Sequence, residues 1–187
     1  TSGSTGKPKG VEITQYGLMD YCAFAKSSYY HNDLLGSLVA TEPAFDISVP
    51  SLYLPLLSGD CVTLLPNEDV IFALVTKLKQ LSEQGVLLRL TPSHCQALLH
   101  VLDGQSISAN CVLVIGGEAL SQKLASELRQ MFPKSALYNH YGPSETVVGC
   151  CLQPFNDMSL SEMGQVPIGR PMANTQLLVL DNLQQLQ

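Results

Sequence analysis

The stretch Cys111-Val-Leu-Val-Ile115, followed by Gly116-Gly117-Glu118, predicts the fold of this chain. An uninterrupted apolar run of this length, ended by glycines, is typical of a strand that is buried on both faces, as in a parallel sheet. Because parallel strands need a crossover connection, usually a helix, we expect helical periodicity on both sides of the run. The two glycines end the strand and leave room for a flat ligand.

Helical and strand patterns do alternate around this run. The other predicted strands are Val11–Ile13, Ser37–Thr41, Cys61–Leu65, Val86–Leu90 and Leu137–Asn139. Helices are predicted to begin at Thr14 (to about Ala25), Asn67, Ser93 (to about Leu102) and Ser121. Their inward faces are predicted to carry Val70, Ile71, Leu74, Val75, Leu78 and Leu81, and, after Ser121, Leu124, Leu128 and Met131. This alternation predicts an α/β fold of mostly parallel sheets covered by helices, which bind ligands beyond the carboxyl ends of their strands.

The composition limits the possible partners. With 187 residues, 45% of them hydrophobic and 14% charged, the chain can bury the core of one domain or of part of one. A net charge of -6 without a basic stripe argues against nucleic acid. No apolar run approaches a membrane span and no signal peptide is visible, so we expect a cytoplasmic protein away from membranes.

The six cysteines lack C-x-x-C pairing and lie in apolar segments, which favours reduced core thiols over disulfides or metal ligands. They are Cys22, Cys61, Cys95, Cys111, Cys150 and Cys151.

The first ten residues, Thr-Ser-Gly-Ser-Thr-Gly-Lys-Pro-Lys-Gly, have the composition of an anion-binding loop. Glycines let the backbone approach an anion closely, and hydroxyl and ammonium groups donate to it, so a nucleotide polyphosphate is the expected ligand. The loop is not a Walker P-loop, because Pro8 follows Lys7 where a Ser or Thr should bind magnesium. The alternative is a flexible Gly/Ser/Thr linker.

A second loop, His140-Tyr-Gly-Pro-Ser-Glu145, follows a predicted strand. The Tyr141 ring offers a stacking face, Ser144 a hydroxyl for phosphate, and Glu145 a carboxylate for magnesium. The alternative is an ordinary turn with proline at a favoured position and a solvated glutamate.

Together, four separated motifs resemble the adenylation domains of nonribosomal peptide synthetases, in the adenylate-forming superfamily. They are Thr1–Gly10, Phe45–Val49, Tyr138–Glu145 and Pro167–Thr175. The resemblance implies the fold of the adenylate-forming enzyme N-terminal core. Because the chain begins inside a loop, residues 1–187 are expected to be a partial adenylation-domain core. The N-terminal part and the small C-terminal domain would be missing, and the fragment alone would be weakly active or inactive.

The resemblance also implies a two-step reaction. The carboxylate of an amino acid attacks the α-phosphate of ATP, pyrophosphate leaves, and a phosphopantetheine thiol on a carrier domain captures the aminoacyl group. The implied cofactors are ATP and Mg²⁺. The implied partners are the amino-acid substrate and the peptidyl carrier and condensation domains of the same synthetase.

Roles for individual residues follow from the same resemblance. Tyr141 and the turn Gly116-Gly117 are expected to flank adenine, Ser144 to contact the α-phosphate, and Glu145 to ligate magnesium, although the family usually has threonine at position 144. Ser144, Glu145 and Lys7 are thus the expected catalytic residues. The β- and γ-phosphates are assigned to Thr1, Ser2, Ser4, Thr5, Gly6 and Lys7.

The resemblance implies a substrate pocket of nine residues: Asp46, Ile47, Pro50, Arg89, Val114, Gly116, His140, Val148 and Gly149. In the family the residue at Asp46 pairs with the α-amino group, and an acid in the apolar run Phe45–Val49 does need a cationic partner. The alternative is an aspartate that caps a helix. Pro50 departs from the family, which often has a large aromatic residue there.

Arg89 interrupts an otherwise apolar strand, Val-Leu-Leu-Arg-Leu. A buried charge is costly unless it is paired, so Arg89 either reaches an edge or binds an anion. Together with His140 it resembles the family's aspartate-type pocket, in which lysine is commoner than arginine. We therefore expect an acidic amino acid: aspartate or 3-methylaspartate, for which Gly116 and Gly149 leave space, and glutamate next.

Two different functions also fit parts of the pattern. An acyl- or aryl-acid-CoA ligase of the same superfamily has no α-amino group to pair with Asp46. A non-catalytic remnant in a synthetase assembly would not need intact phosphate and magnesium motifs.

Overall fold

A computed structural model describes residues 10–31, 33–160 and 163–186. Its strands are β1 (Gly36–Val39), β2 (Cys61–Leu64), β3 (Gln84–Leu90), β4 (Asn110–Gly116), β5 (Ala136–Tyr141), β6 (Cys151–Pro154) and β7 (Arg170–Pro171). They form one sheet in the order β2-β1-β3-β4-β5-β6-β7. The pairs from β2 to β5 are parallel, and β6 and β7 join antiparallel. The predicted α/β fold with a mostly parallel sheet is confirmed.

The helices that cover the sheet are α1 (Gln15–Tyr29), α2 (Val49–Ser58), α3 (Val70–Gln80), α4 (Pro92–Leu102) and α5 (Gln122–Met131). Two short 3₁₀ helices, Asp46–Ser48 and Ser144–Thr146, follow β1 and β5 in the chain. None of the helices in the described ranges is long and apolar enough to cross a membrane.

Side-chain caps explain where three helices begin. Thr14 Oγ1 accepts from the Gly17 amide at 3.0 Å, and Ser121 Oγ accepts from the Leu124 amide at 3.2 Å. Both caps were predicted. α4 begins earlier than predicted, because Thr91 is its cap and forms a capping box with His94.

Three other predictions of local structure were wrong. Residues Val11–Ile13 are not a strand; Glu12 and Ile13 are exposed and pair with no strand of the described residues. α1 does not end near Ala25, since its buried face continues to Tyr29. α3 is not capped by Asn67, because Asp69 adopts a left-handed conformation immediately before the helix.

Two apolar clusters lie on opposite faces of the sheet, because successive strand residues point to opposite sides. Leu88 and Leu90 of β3 pack with α3, α4 and α5, whereas Leu87 packs with α1 and α2. The predicted inward faces of α3 and α5 are thereby confirmed. This alternation puts Arg89 on the same face as Leu87, towards α1.

The cysteines are free thiols, and all but Cys61 are buried. Cys61 lies on β2 at the edge of the sheet, so the prediction of a core position was wrong for this residue alone.

Candidate active site at the carboxyl edge of the sheet

Three neighbouring parallel strands bring the predicted site residues together. In the sheet register Arg89 of β3 pairs with Val114 of β4, and Gly116 of β4 pairs with His140 of β5. The 3₁₀ helices that carry Asp46 and Ser144 meet at the same edge, where ligands of parallel sheets bind.

Arg89 is buried, with 3% of its surface exposed, so it does not reach an edge. Its Nη1 donates to the Val114 carbonyl at 3.1 Å and its Nη2 to His140 Nδ1 at 2.8 Å. Its Nε is buried and has no hydrogen-bond partner, and no acidic side chain in the described parts of the chain forms an ion pair with it. Burial lowers the pKa of Arg89, while Tyr21, Tyr29 and Asp46 raise it.

His140 accepts from Arg89, because a guanidinium has donors only. Nδ1 therefore carries no proton, and the neutral ring holds its proton on Nε2, which lies 3.3 Å from Tyr21 Oη. Burial, and then the charge of Arg89, hold the pKa of His140 well below 6.5. His140 is thus a neutral group that orients Arg89 and adds no second positive charge.

Two tyrosines of α1 extend this hydrogen-bonded chain. Tyr21 Oη lies 3.2 Å from Tyr29 Oη, and the Tyr21 ring meets the His140 ring edge to face, with centroids 5.9 Å apart. Burial raises the pKa of Tyr21 well above 10 and that of Tyr29 to about 12. Neither residue was predicted from the sequence, because a tyrosine on the buried face of a helix is indistinguishable from an ordinary core residue.

Gly116 and Gly149 are required by the side chains beside them. A Cβ at Gly116 would lie 2.9 Å from both Nη atoms of Arg89, and a Cβ at Gly149 would lie 2.0 Å from His140 Cε1. The sequence-based expectation assigned this space to a methyl group of the substrate. In the structure the guanidinium and the imidazole fill it.

Asp46 accepts a hydrogen bond from Ser144 Oγ. It makes no helix-capping hydrogen bond, so the capping interpretation is wrong. Asp46 also borders a cavity of about 450 Å³. The other lining residues are Thr41, Glu42, Phe45, Ile47, Thr91, His94 and Gly117.

Of the four remaining predicted pocket residues, two adjoin these groups. Ile47 lies beside Asp46 in the cavity, and Val114 supplies the carbonyl that accepts from Arg89. Val148 is buried in the cluster beneath α1, and Pro50 is buried in the first turn of α2.

A second cavity, of about 320 Å³, lies beside Tyr141. Gly117 and His140 also line it, together with Val166, which directly precedes the motif Pro167–Thr175, whereas Gly116 does not. Asn139 Nδ2 holds the start of that motif by donating to the carbonyls of Val166 at 3.2 Å and Pro167 at 2.8 Å. The predicted adenine residues Tyr141 and Gly117 therefore share one cavity.

Glu145 is exposed in its 3₁₀ helix, next to the half-buried Ser144. Mg²⁺ retains several waters and binds one or two carboxylates together with substrate phosphates, so a single exposed carboxylate beside a phosphate-binding hydroxyl fits this ion. The predicted β,γ-phosphate residues lie outside the described residues: Thr1, Ser2, Ser4, Thr5, Gly6 and Lys7.

A parallel α/β sheet with polar residues and cavities at its carboxyl edge defines a ligand-binding domain of the α/β class. The family described as "AMP-binding enzyme" matches residues 1–187, and the chain belongs to it. The resemblance inferred from the four motifs is confirmed.

Similar proteins include large synthases. Bacitracin synthase 3 of Bacillus licheniformis is 39% identical over an alignment of 188 positions, which covers 100% of this chain and 3% of that protein. Tyrocidine synthase 3 of Brevibacillus parabrevis is 35% identical over 182 residues, 97% of this chain and 3% of that protein. The chain thus spans a small part of the length of these relatives.

A solved structure with a similar fold is the Vibrio cholerae adenylation domain AlmE in complex with glycyl-adenosine-5'-phosphate. It has a TM-score of 0.84 and 26% identity, covering 100% of this chain and 35% of that one. A four-domain nonribosomal peptide synthetase bound to AMP and glycine has a TM-score of 0.79 and 31% identity, covering 96% of this chain and 13% of that one.

Proposed function

We propose that this chain is part of an adenylation domain that activates an acidic amino acid. In the presence of ATP and Mg²⁺ the domain would form an aminoacyl-adenylate and load it onto the phosphopantetheine of a carrier domain in a nonribosomal peptide synthetase. Aspartate or 3-methylaspartate is the favoured substrate, and glutamate is next. Residues 1–187 would form part of the large N-terminal core, with peptidyl carrier and condensation domains as partners in the cytoplasm.

The main support for an acidic substrate is the unpaired charge of Arg89. A buried charge is costly unless an opposite charge and hydrogen bonds compensate for it. Two of its five N–H donors are used, and the buried Nε has no partner among the described residues. A carboxylate binds a guanidinium through two parallel hydrogen bonds, so a substrate carboxylate would supply both the charge and the acceptors.

Asp46 would hold the other end of the substrate. Its carboxylate contributes to the pKa of Arg89, so the two charges influence each other across the site. An α-ammonium group is a fitting cation for Asp46. The present donor to Asp46 is Ser144, the residue proposed to contact the α-phosphate, so the amine and phosphate subsites adjoin. An aminoacyl-adenylate has these two groups a few bonds apart.

Two observations support the proposed binding of ATP and Mg²⁺. Tyr141 and Gly117 line one cavity, and Glu145 is exposed in the 3₁₀ helix that follows β5. Charge neutralisation and alignment are what the adenylation step chiefly requires. A structure of similar fold, described as containing adenylation and PCP domains, supports a carrier partner; its TM-score is 0.78 at 27% identity.

The filled space at Gly116 and Gly149 bears on the choice between aspartate and its 3-methyl form. With Arg89 and His140 in that space, the glycines no longer argue for a methyl group on the substrate. Aspartate and 3-methylaspartate are therefore both candidate substrates, and their relative rates of exchange distinguish them.

Amino-acid-dependent exchange of pyrophosphate into ATP by the full-length protein tests the proposal. The decisive pair is aspartate and asparagine, which differ in charge and hardly in size. We expect exchange with aspartate to exceed that with asparagine by about 100-fold or more, the scale of an uncompensated buried charge. A preference for asparagine or for an aliphatic or aromatic amino acid would refute the acidic substrate.

Succinate distinguishes amino-acid activation from CoA ligation. It keeps both carboxylates of aspartate and lacks the α-amino group, so a domain that uses Asp46 for the amine should not activate it. Activity with succinate or with an aryl acid would favour an acyl- or aryl-acid-CoA ligase. A complete lack of exchange with every acid would favour a non-catalytic remnant in a synthetase assembly.

A further inference from the structure

We propose that Tyr21 is a positioning residue for the substrate carboxylate. Its hydroxyl holds His140 in the form protonated on Nε2, and this form leaves Nδ1 free to accept from Arg89. The identity of the carboxylate rests on the function proposed above, whereas the effect on the His140 tautomer does not.

The hydrogen-bond partners of His140 determine which of its ring nitrogens carries the proton. If Nδ1 carried the proton, two donors would face each other at 2.8 Å in a buried site, because Arg89 can only donate. The proton therefore lies on Nε2 and is directed at Tyr21 Oη, 3.3 Å away. Tyr21 accepts it, and its oxygen also lies 3.2 Å from Tyr29 Oη, where either hydroxyl can donate. The donors thus run from Arg89 through His140 to Tyr21.

Within the described parts of the chain, the hydroxyl of Tyr21 makes no hydrogen bond besides these two. Tyr21 is 4% exposed and lies in a cluster with the apolar neighbours Cys22, Ala25 and Leu54. Burying a hydroxyl there is unfavourable unless it is hydrogen-bonded, and a phenylalanine ring would fill the same volume. Its hydrogen bonds go to Tyr29 and to His140, so α1 supports a pocket whose nine predicted residues all lie outside that helix.

The test is Tyr21→Phe in the full-length protein, with two measurements. The first is the ¹⁵N chemical shifts of the His140 imidazole, which distinguish the two neutral tautomers. We expect the Nε2–H form in the wild type. In the variant the buried Nε2–H group loses its acceptor, and this cost opposes the preference set by Arg89, so the proportion of the Nδ1–H form should rise. The second is pyrophosphate exchange, in which KM for aspartate should rise about three- to tenfold, the worth of one hydrogen bond, while kcat and KM for ATP stay unchanged.

Tyr30→Phe is the matched control. Tyr30 is also a buried tyrosine of the same cluster, but its hydroxyl donates to Asp60 at 2.8 Å, away from His140. This variant should change neither the tautomer nor KM for aspartate. A merely structural role for Tyr21 predicts similar losses in both variants.

A double-mutant cycle tests whether Tyr21 acts through His140. In the His140→Ala background, Tyr21→Phe should not raise KM further, because the group through which it acts is gone. Additive effects on KM would overturn the proposal. An Nδ1–H tautomer in the wild-type protein would also overturn it, and this measurement does not depend on the folding of any variant. If the wild type prefers a neutral amino acid, the acidic substrate is refuted, and the tautomer measurement still decides the role of Tyr21.

Discussion

The two ends of the proposed active site are built in opposite ways. At the acid end, Arg89, His140 and Tyr21 are between 2% and 4% exposed, and each is hydrogen-bonded to the next. At the nucleotide end, Tyr141 is 49% exposed and Glu145 is also exposed. The acid end is therefore arranged by packing within the fold, whereas the described residues of the nucleotide end are open to solvent.

This difference follows from position in the fold. Arg89 and His140 lie on inner strands covered by α1, so their environment is fixed by packing on every side. Tyr141 and Glu145 lie where β5 gives way to a loop. A preorganised, dry site makes electrostatic interactions strong, and an open one makes them weak and adaptable. Substitutions at the acid end should therefore have larger effects, confined to the amino acid.

The largest effect is expected for Arg89→Glu. A carboxylate in this buried position would repel the substrate carboxylate, so exchange with aspartate should fall by at least about 100-fold, while the affinity for ATP is unchanged. Exchange kinetics and nucleotide binding measure the two effects separately. An equal loss of both would mean that Arg89 supports the fold and not the substrate.

Two further variants distinguish loss of substrate binding from misfolding. Arg89→Met removes the charge and keeps an unbranched apolar side chain, so it should fold and lose the preference for aspartate over asparagine. Arg129→Met is the matched control, since the Nη1 of Arg129 also donates to a backbone carbonyl, that of Met158 at 2.7 Å, and Arg129 lies on α5 on the other face of the sheet. This variant should leave the preference intact.

Gly149→Ala should have the next largest effect. The added Cβ would lie 2.0 Å from His140 Cε1, so the imidazole must move, and overpacking of this kind typically costs about 1–3 kcal/mol. Because His140 orients Arg89, KM for aspartate should rise about tenfold or more. Gly104→Ala is the control, since a Cβ there meets open space although φ is +78°. Equal KM values for aspartate in the two variants would show that His140 does not take part in substrate binding.

The five parallel strands β1 to β5 and the location of the candidate site could be predicted because their signals are local. The run Cys111–Ile115 indicates a buried strand by itself, and Arg89 draws attention because it interrupts such a run. The helix starts at Thr14 and Ser121 were predicted for the same reason, since a cap acts on an amide three residues away.

The missed features depend on residues that are distant in the chain. Tyr21 and His140 are 119 residues apart, and no pattern around Tyr21 distinguishes its hydroxyl from that of any core tyrosine. The space beside Gly149 was assigned to the substrate, because only the folded structure shows that the imidazole of His140 lies there.

The low pKa of His140 predicts a pH-dependent stability. The unfolded chain binds a proton at this histidine near pH 6.5, whereas the folded chain, with burial and Arg89 against the ring, does so only at much lower pH. Between these values the unfolded state binds more protons. Stability should therefore fall as the pH drops below about 6.5, by up to about 1.4 kcal/mol per pH unit, and should be unaffected by this group above it.

His140→Gln isolates this contribution. An amide can accept from Arg89 and donate to Tyr21 without titrating, so the unfolding midpoint of the wild type should decline relative to this variant as the pH is lowered from about 6.5. His31→Gln, on the exposed surface, is the control. A difference that does not change with pH would show that His140 is not held neutral by the fold.

The smallest effect is expected at the open end, for Tyr141→Ala. Its ring borders the proposed adenine cavity and is half exposed, so the loss of stacking should be about 1 kcal/mol, or about fivefold in KM for ATP. Tyr141→Phe keeps the stacking face and should change KM for ATP little. Tyr16→Ala is the control, because it removes an 80% exposed ring that does not line the cavity. KM for aspartate should not change in any of the three. If Tyr141→Ala raised KM for aspartate as strongly as KM for ATP, the two ends would be coupled, and the buried network at Arg89 would not be preorganised independently of the nucleotide.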